Sequence, residues 1–180
     1  MKSLPSTIAL LLVLGGRSPL LGQGAPSGAP SRAQAVAAAR EIIEAARYGT
    51  LVTIGLDGQP QARIVDPFVP DTNFTIWIAT NPLTRKVQEI RDNPRVTLLY
   101  FNAAKAEYVT VIGTALLDTN SVQKAAHWKA EWASLYKDGN RGDDFVLLRV
   151  RPSRLEVSSV ARGLRNDPKT WRPIIIDLPR

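Results

Sequence analysis

The stretch that decides the fold runs from Phe74 to Phe101, FTIWIATNPLTRKVQEIRDNPRVTLLYF. β-Branched and aromatic residues fill Phe74–Ala79, which predicts a strand. Thr80-Asn81-Pro82 interrupts it, and Thr84 stands where it can cap a short helix whose apolar positions Val87 and Ile90 lie three apart. Asn93-Pro94 ends that helix, because a residue before proline is pushed out of the α region. A second strand, Val96–Phe101, follows at once.

Arg85-Lys86 is the unusual feature of this segment. With Thr84 as cap, two cations occupy a first helical turn, where free N–H groups and the macrodipole already present positive charge. Each is disfavoured there by a few tenths of a kcal/mol, roughly, unless an anion is present. A phosphate would satisfy the N–H groups, the Thr84 hydroxyl and both basic side chains together. The other reading is a solvated basic pair.

The 180 residues, 44% hydrophobic, support one domain with a proper core. The absence of cysteine excludes disulfides, thiolate metal sites and cysteine nucleophiles. With one histidine, His127, histidine metal clusters are excluded too. The charge of +7 suits an anionic ligand or nucleic acid, or is only a solvated surface. No basic run longer than a pair occurs, and basic and aromatic residues do not interleave, so nucleic acid is not an expected partner.

Residues 1–24 read as a signal peptide: Lys2 at the start, the apolar run Ile8–Leu14, and Gly22-Gln23-Gly24 as a small-x-small cleavage site. The run is far short of the ~20 residues of a membrane span, and no cysteine offers a lipid anchor. The expectation is export, with an upstream start-codon assignment as the alternative and a cytoplasmic protein in that case. Residues 25–33 form a flexible linker, 34–163 the folded domain, and 164–180 an extended tail.

Ser31 caps an amphipathic helix to about Arg47, with Val36, Ala39, Ile43 and Ala46 on one face. Strands Thr50–Leu56 and Gln59–Pro67 flank Asp57-Gly58, a strong hairpin signal. Arg63, among apolar neighbours in the second of these, either pairs with an acid, meets a ligand or faces solvent. Glu107–Asp118 is a long strand whose Gly113 marks a bulge or barrel corner. Asn120–Tyr136 reads as one helix with Val122, Ala125, Trp128, Trp132 and Leu135 inward and His127 on the solvated side. Phe145–Arg151 and Leu155–Val160 read as two strands around a Pro152-Ser153 turn. In the tail, Trp171 and Ile174–Ile176 are expected to bury. Together these elements predict a mainly β protein, a small barrel with flanking helices. Dinucleotide, phosphate-loop, zinc-protease and nucleophile-elbow motifs are absent.

The ordered set Arg63-Ile64-Val65, Ala79-Thr80-Asn81, Thr84-Arg85-Lys86, Asn93-Pro94, Val96–Phe101 and the Gly113 strand resembles the pyridoxamine 5′-phosphate oxidase-like, FMN-binding split-barrel superfamily. Phe145–Val150 followed by Pro152 is most similar to its general stress protein 26 branch. The resemblance covers about Ala35 to Gly163. It implies a six-stranded split barrel, a homodimer and FMN at the interface, with deazaflavin or haem as the alternatives. It implies cofactor contacts at Arg63, Val65, Ala79, Thr80, Thr84, Arg85 and Lys86, and a contact from the partner subunit at Trp171. Departures are equally visible: Phe68 stands near a lysine of the oxidase proper, Tyr108 near a glutamine, and the segment that grips pyridoxal phosphate has no counterpart. The resemblance therefore implies a flavin-dependent oxidoreductase on an unidentified small molecule, or a carrier or sensor without turnover, but not pyridoxamine phosphate oxidation itself.

Overall fold

The computed structural model describes residues 30–179; the expected signal peptide and most of the linker lie outside them. Helix α1, Arg32–Ala46, begins at a capping box in which the Ser31 hydroxyl accepts from the Gln34 amide and the Gln34 side chain accepts from the Ser31 amide. Strands β1, Gly49–Ile54, and β2, Pro60–Val65, form the hairpin around Asp57-Gly58, where Gly58 takes a φ of 80°. Then come β3 (Ile76–Thr80), α2 (Arg85–Asp92), β4 (Arg95–Asn102) and β5 (Glu107–Asp118). A short α3, Ser121–Ala126, precedes the long β6, Val146–Ser158, and β7, Ile174–Asp177.

The strands make one antiparallel sheet in the order β2-β1-β4-β5-β6-β3, with β7 added to β6. The sheet curls until its outer strands approach: Pro67 bridges Ile78, and the Phe68 N–H donates to the Trp77 carbonyl at 2.9 Å. Alternate residues face inward, among them Leu51, Leu98, Tyr100, Val109, Val111 and Leu155. They pack against Ala39, Ile42 and Ile43 of α1 and Val87 and Ile90 of α2. Full burial of each large aliphatic side chain contributes ~1.5–3 kcal/mol.

Two features depart from the expected strands. β6 is continuous across Pro152-Ser153, and the irregularity is a bulge against β5 between Ile112 and Gly113. The bulge tolerates the missing proline N–H, which a turn also would, so the local signal was ambiguous. Gly113 is required there, since a Cβ would lie 2.2 Å from the Arg151 carbonyl oxygen. The tail is not merely extended. β7 shares one edge of β6 with β3, pairing at Arg154–Val157 while β3 pairs at Val146–Val150. Ile176 is buried, but Ile175 is 48% exposed and Trp171 is 79% exposed at a φ of 59°, contrary to the expected burial.

The helix expected over Asn120–Tyr136 is broken. α3 stops at Ala126, and Ala130–Ser134 forms a separate 3-10 turn. The break lets Trp128 and Trp132 both reach Phe145, with ring centroids at 5.2 and 6.2 Å, in a second apolar cluster with Trp77 and Leu147. Val122 and Leu135, which a continuous helix would bury, are exposed. His127 is not on a solvated face: its ring stacks on Trp77 at 4.6 Å and meets the edge of Phe68 at 5.0 Å. Its Nδ1 lies 3.0 Å from the Gln123 carbonyl, which can only accept, so Nδ1 carries the proton.

Candidate functional site

The register of β1 against β2 sets Arg63 beside Leu51 on the inner face, next to the Thr53–Gln61 pair and under α2. Its Nη1 donates to the Thr53 hydroxyl and its Nη2 to Glu89 Oε2 at 2.8 Å. Glu89 is almost wholly buried, and Thr53 donates to the same oxygen. Arg85, one turn earlier on α2, places Nε 3.1 Å from Glu89 Oε1. Of the readings open for Arg63, the acid partner is present. It is also the counter-ion for Arg85, which had no partner in the helix-start argument.

Lys86 completes the group. It is half-buried, and burial first, then the positive charge of Arg63, hold its ammonium below the ordinary lysine value, with Glu89 opposing the shift. Three cations thus face one carboxylate, an excess of two positive charges. Thr84 holds the cap position of α2 but makes no side-chain cap bond; its hydroxyl donates to the Asn81 carbonyl at 2.8 Å. The amides at the start of α2 are therefore not closed by that side chain. The buried Thr80 hydroxyl lies 3.3 Å from that of Thr84. Arg63, Arg85 and Lys86 are joined electrostatically through Glu89, while Thr80 and Thr84 form a hydroxyl pair at the turn into α2.

The remaining candidates stand apart. Val65 is a core residue, and Ala79, opposite Leu147, packs on the aromatic cluster, so neither side chain has a polar group to offer a cofactor. Trp171 precedes β7, whose Ile174 pairs with Val157, whereas Thr80 pairs with Val146 at the other end of β6. The eleven intervening steps span roughly 35 Å of strand. Within one chain Trp171 is thus remote from the cations.

The large concave region lies elsewhere. A groove of about 930 Å³ on the outer face of β1, β4 and β5 is lined by Val52, Thr97, Ile112, Arg95 and Arg151, among others, and by none of the eight candidates. Among the described residues no three metal-ligating side chains cluster. Glu89 was missed by sequence reasoning, although its i,i+4 spacing from Arg85 was a visible signal. Thr53 gave no local signal; only the hairpin register brings it to Arg63.

A curled six-strand path closed by a bridge, with a cation-rich turn between its third strand and following helix, defines a split-barrel protein. Residues 35–159 match the Pyridoxamine 5′-phosphate oxidase family, and the chain belongs to it. General stress protein 26 of Bacillus subtilis is 25% identical over 120 residues, covering 65% of this chain and 83% of that protein. A solved Clostridium acetobutylicum protein related to general stress protein 26 superposes with a TM-score of 0.66 at 17% identity, over 82% of this chain and 96% of that one. The structure of a heme binding protein from Mycobacterium smegmatis matches with a TM-score of 0.57 at 22% identity, over 72% of this chain and 54% of that one. At these identities the two structures speak for the fold.

Proposed function

We propose that the chain is an FMN-binding oxidoreductase of this family acting on a small molecule, assembled as a homodimer and exported by its N-terminal leader. The observation that carries the reading is the excess of cations around Arg63, Arg85 and Lys86, with Lys86 held half-buried at a depressed pKa. A phosphate dianion balances that excess, relieves Lys86 and accepts hydrogen bonds from the open start of α2 and, with the Thr84 proton turned to it from the Asn81 carbonyl, from the Thr80–Thr84 hydroxyls. Arg63 contributes through the hydrogen-bonding capacity left over from Thr53 and Glu89. The residues fit the phosphate end of the cofactor; the bound flavin supplies hydride or electron transfer, and the protein supplies binding and orientation. Val65 and Ala79, whose side chains pack in separate apolar clusters, serve the cofactor through their backbone. Trp171, remote from its own Thr80, is assigned to the cofactor of a second copy.

The dimer is supported by the outer face of the sheet, where Ile64 and Leu99 occupy one register row across Thr50 and Phe101 lies beyond them. Their exposures of 68%, 39% and 57% make an apolar patch that a second copy covers. No helix among the described residues is long and apolar enough to cross a membrane. A second reading is a haem- or deazaflavin-binding module without turnover; its haem form is favoured by one observation, that a fold neighbour is a heme binding protein. The visible spectrum of the purified protein, with the released cofactor identified by mass, tests the two. Flavin absorption with FMN released supports the first reading; a haem spectrum or a colourless protein that takes up no FMN overturns it.

A further inference from the structure

Arg95, Thr114 and Arg151 form one register row across β4, β5 and β6: Arg95 pairs with Thr114, and Thr114 with Arg151. All three are exposed on the outer face, since in-register neighbours share a side of the sheet. Two strand spacings set the arginine backbones about 10 Å apart, with Thr114 between them. Among the described residues neither arginine has an acidic partner. Arg149 and Arg154, on either side of Arg151 along β6, are by contrast paired with Asp118 and Asp177. Arg95 donates through Nε to Asn93 Oδ1 at 3.3 Å, which leaves the Nη end of its fork.

A second row, Val52–Thr97–Ile112, crosses β1, β4 and β5 two residues further along the strands, about 7 Å away. Both rows line the groove of about 930 Å³, a size typical of small-molecule sites. The bulge at Gly113 lies between them, and a bulge bends its strand and re-aims the side chains beside it. No lining residue is acidic, and Ile64, Leu99 and Phe101, assigned above to the dimer, are not among them. The chemistry of the walls sets the ligand. Guanidinium groups only donate, and their forks match the oxygens of a carboxylate or phosphate. Val52 and Ile112 offer an apolar surface one row away.

We propose that this groove binds an amphipathic anion: a flat apolar body lies against Val52 and Ile112 and carries a carboxylate or phosphate that accepts from Arg95, Arg151 and the Thr114 hydroxyl. The groove shares no residue with the cation cluster around Glu89, so the proposal stands independently of the flavin reading.

Naphthoate and naphthyl phosphate are the probes, titrated into the isotopically labelled full chain and followed by amide chemical shifts, with neutral naphthamide as the comparison. The tighter of the two anions identifies the head group. Saturable binding is expected, with shifts centred on Thr97, Ile112 and Thr114 and affinity about tenfold weaker for naphthamide. Arg95→Gln and Arg151→Gln are each expected to weaken the anion about tenfold. Both residues are exposed, so the melting temperatures of these variants are expected to match the wild type. Lys105→Gln, which removes an exposed charge outside the groove, is expected to keep wild-type affinity. Four results overturn the proposal: no saturation by either anion, naphthamide binding as tightly as the anions, both arginine variants at wild-type affinity, or an equal loss in Lys105→Gln. Shifts centred on Lys86 instead of Thr114 also overturn it, because the anion would then occupy the cation cluster.

Discussion

Arg63 and Glu89 meet at 2.8 Å between β2 and α2, with the arginine side chain 19% exposed and the carboxylate 2%. Breaking a buried pair leaves an uncompensated charge, which costs about 3–5 kcal/mol. Glu89→Ala is therefore expected to destabilise by that amount in urea denaturation. Arg85→Ala, which removes a 68% exposed partner of the same carboxylate, is expected to cost only about 0–1 kcal/mol. Similar costs for the two variants would show that Glu89 is not the buried centre of the cluster.

Acid stability depends on a second buried carboxylate. Burial pushes Glu107 up, but hydrogen bonds from Ser159, Asn102 and Arg162, with the Arg162 charge, outweigh it and hold Glu107 below 4.5. The folded pKa is lower than the unfolded one, so the stabilisation is fully present above the unfolded value and lost as pH falls through the folded value. Unfolding free energy is expected to decline as pH drops below about 4.5, and Glu107→Gln is expected to flatten that decline. An unchanged acid limb in the variant contradicts the assignment.

What could be read in the sequence was local. Ser31 acts through its capping hydroxyl and Asp57-Gly58, Asn93-Pro94 and Gly113 through local backbone preferences, and each marks the boundary or irregularity expected of it. The expectations that the structure overturns depended on distant partners. Val122, Trp128 and Leu135 have helical spacing, yet the chain breaks at His127 so that the tryptophans reach Phe145. Pro152-Ser153 has turn chemistry, yet Gly113 across the ladder lets β6 continue. In the site, Arg85 and Lys86 were visible as a helix-start anomaly, but the buried state of Glu89 is a property of the packed core.

The bulge gives a sharp packing test. With a Cβ at residue 113 only 2.2 Å from a backbone oxygen, relief requires β5 and β6 to separate. Gly113→Ala is expected to lose about 2–3 kcal/mol, read as a lower denaturant midpoint with unchanged slope. A loss under about 0.5 kcal/mol would mean that the bulge adjusts freely.

The outer sheet face makes the dimer testable without touching the core. Ile64→Lys combined with Leu99→Lys is expected to yield monomers in sedimentation, while circular dichroism stays that of the wild type. A wild type that is monomeric at micromolar concentration, with and without FMN, rejects the homodimer.

The phosphate assignment is tested most directly by the affinities of FMN and riboflavin, which differ only in the phosphate, for wild type and the Arg85→Ala, Lys86→Ala double variant. Charge-assisted hydrogen bonds contribute ~1.5–3 kcal/mol each. Allowing for non-additivity, the double variant is expected to bind FMN about a hundredfold more weakly. Riboflavin is expected to bind both proteins weakly and about equally, which separates a lost phosphate contact from a lost fold. Equal affinity of the wild type for FMN and riboflavin would contradict the account and leave Arg85 and Lys86 as a solvated pair around Glu89.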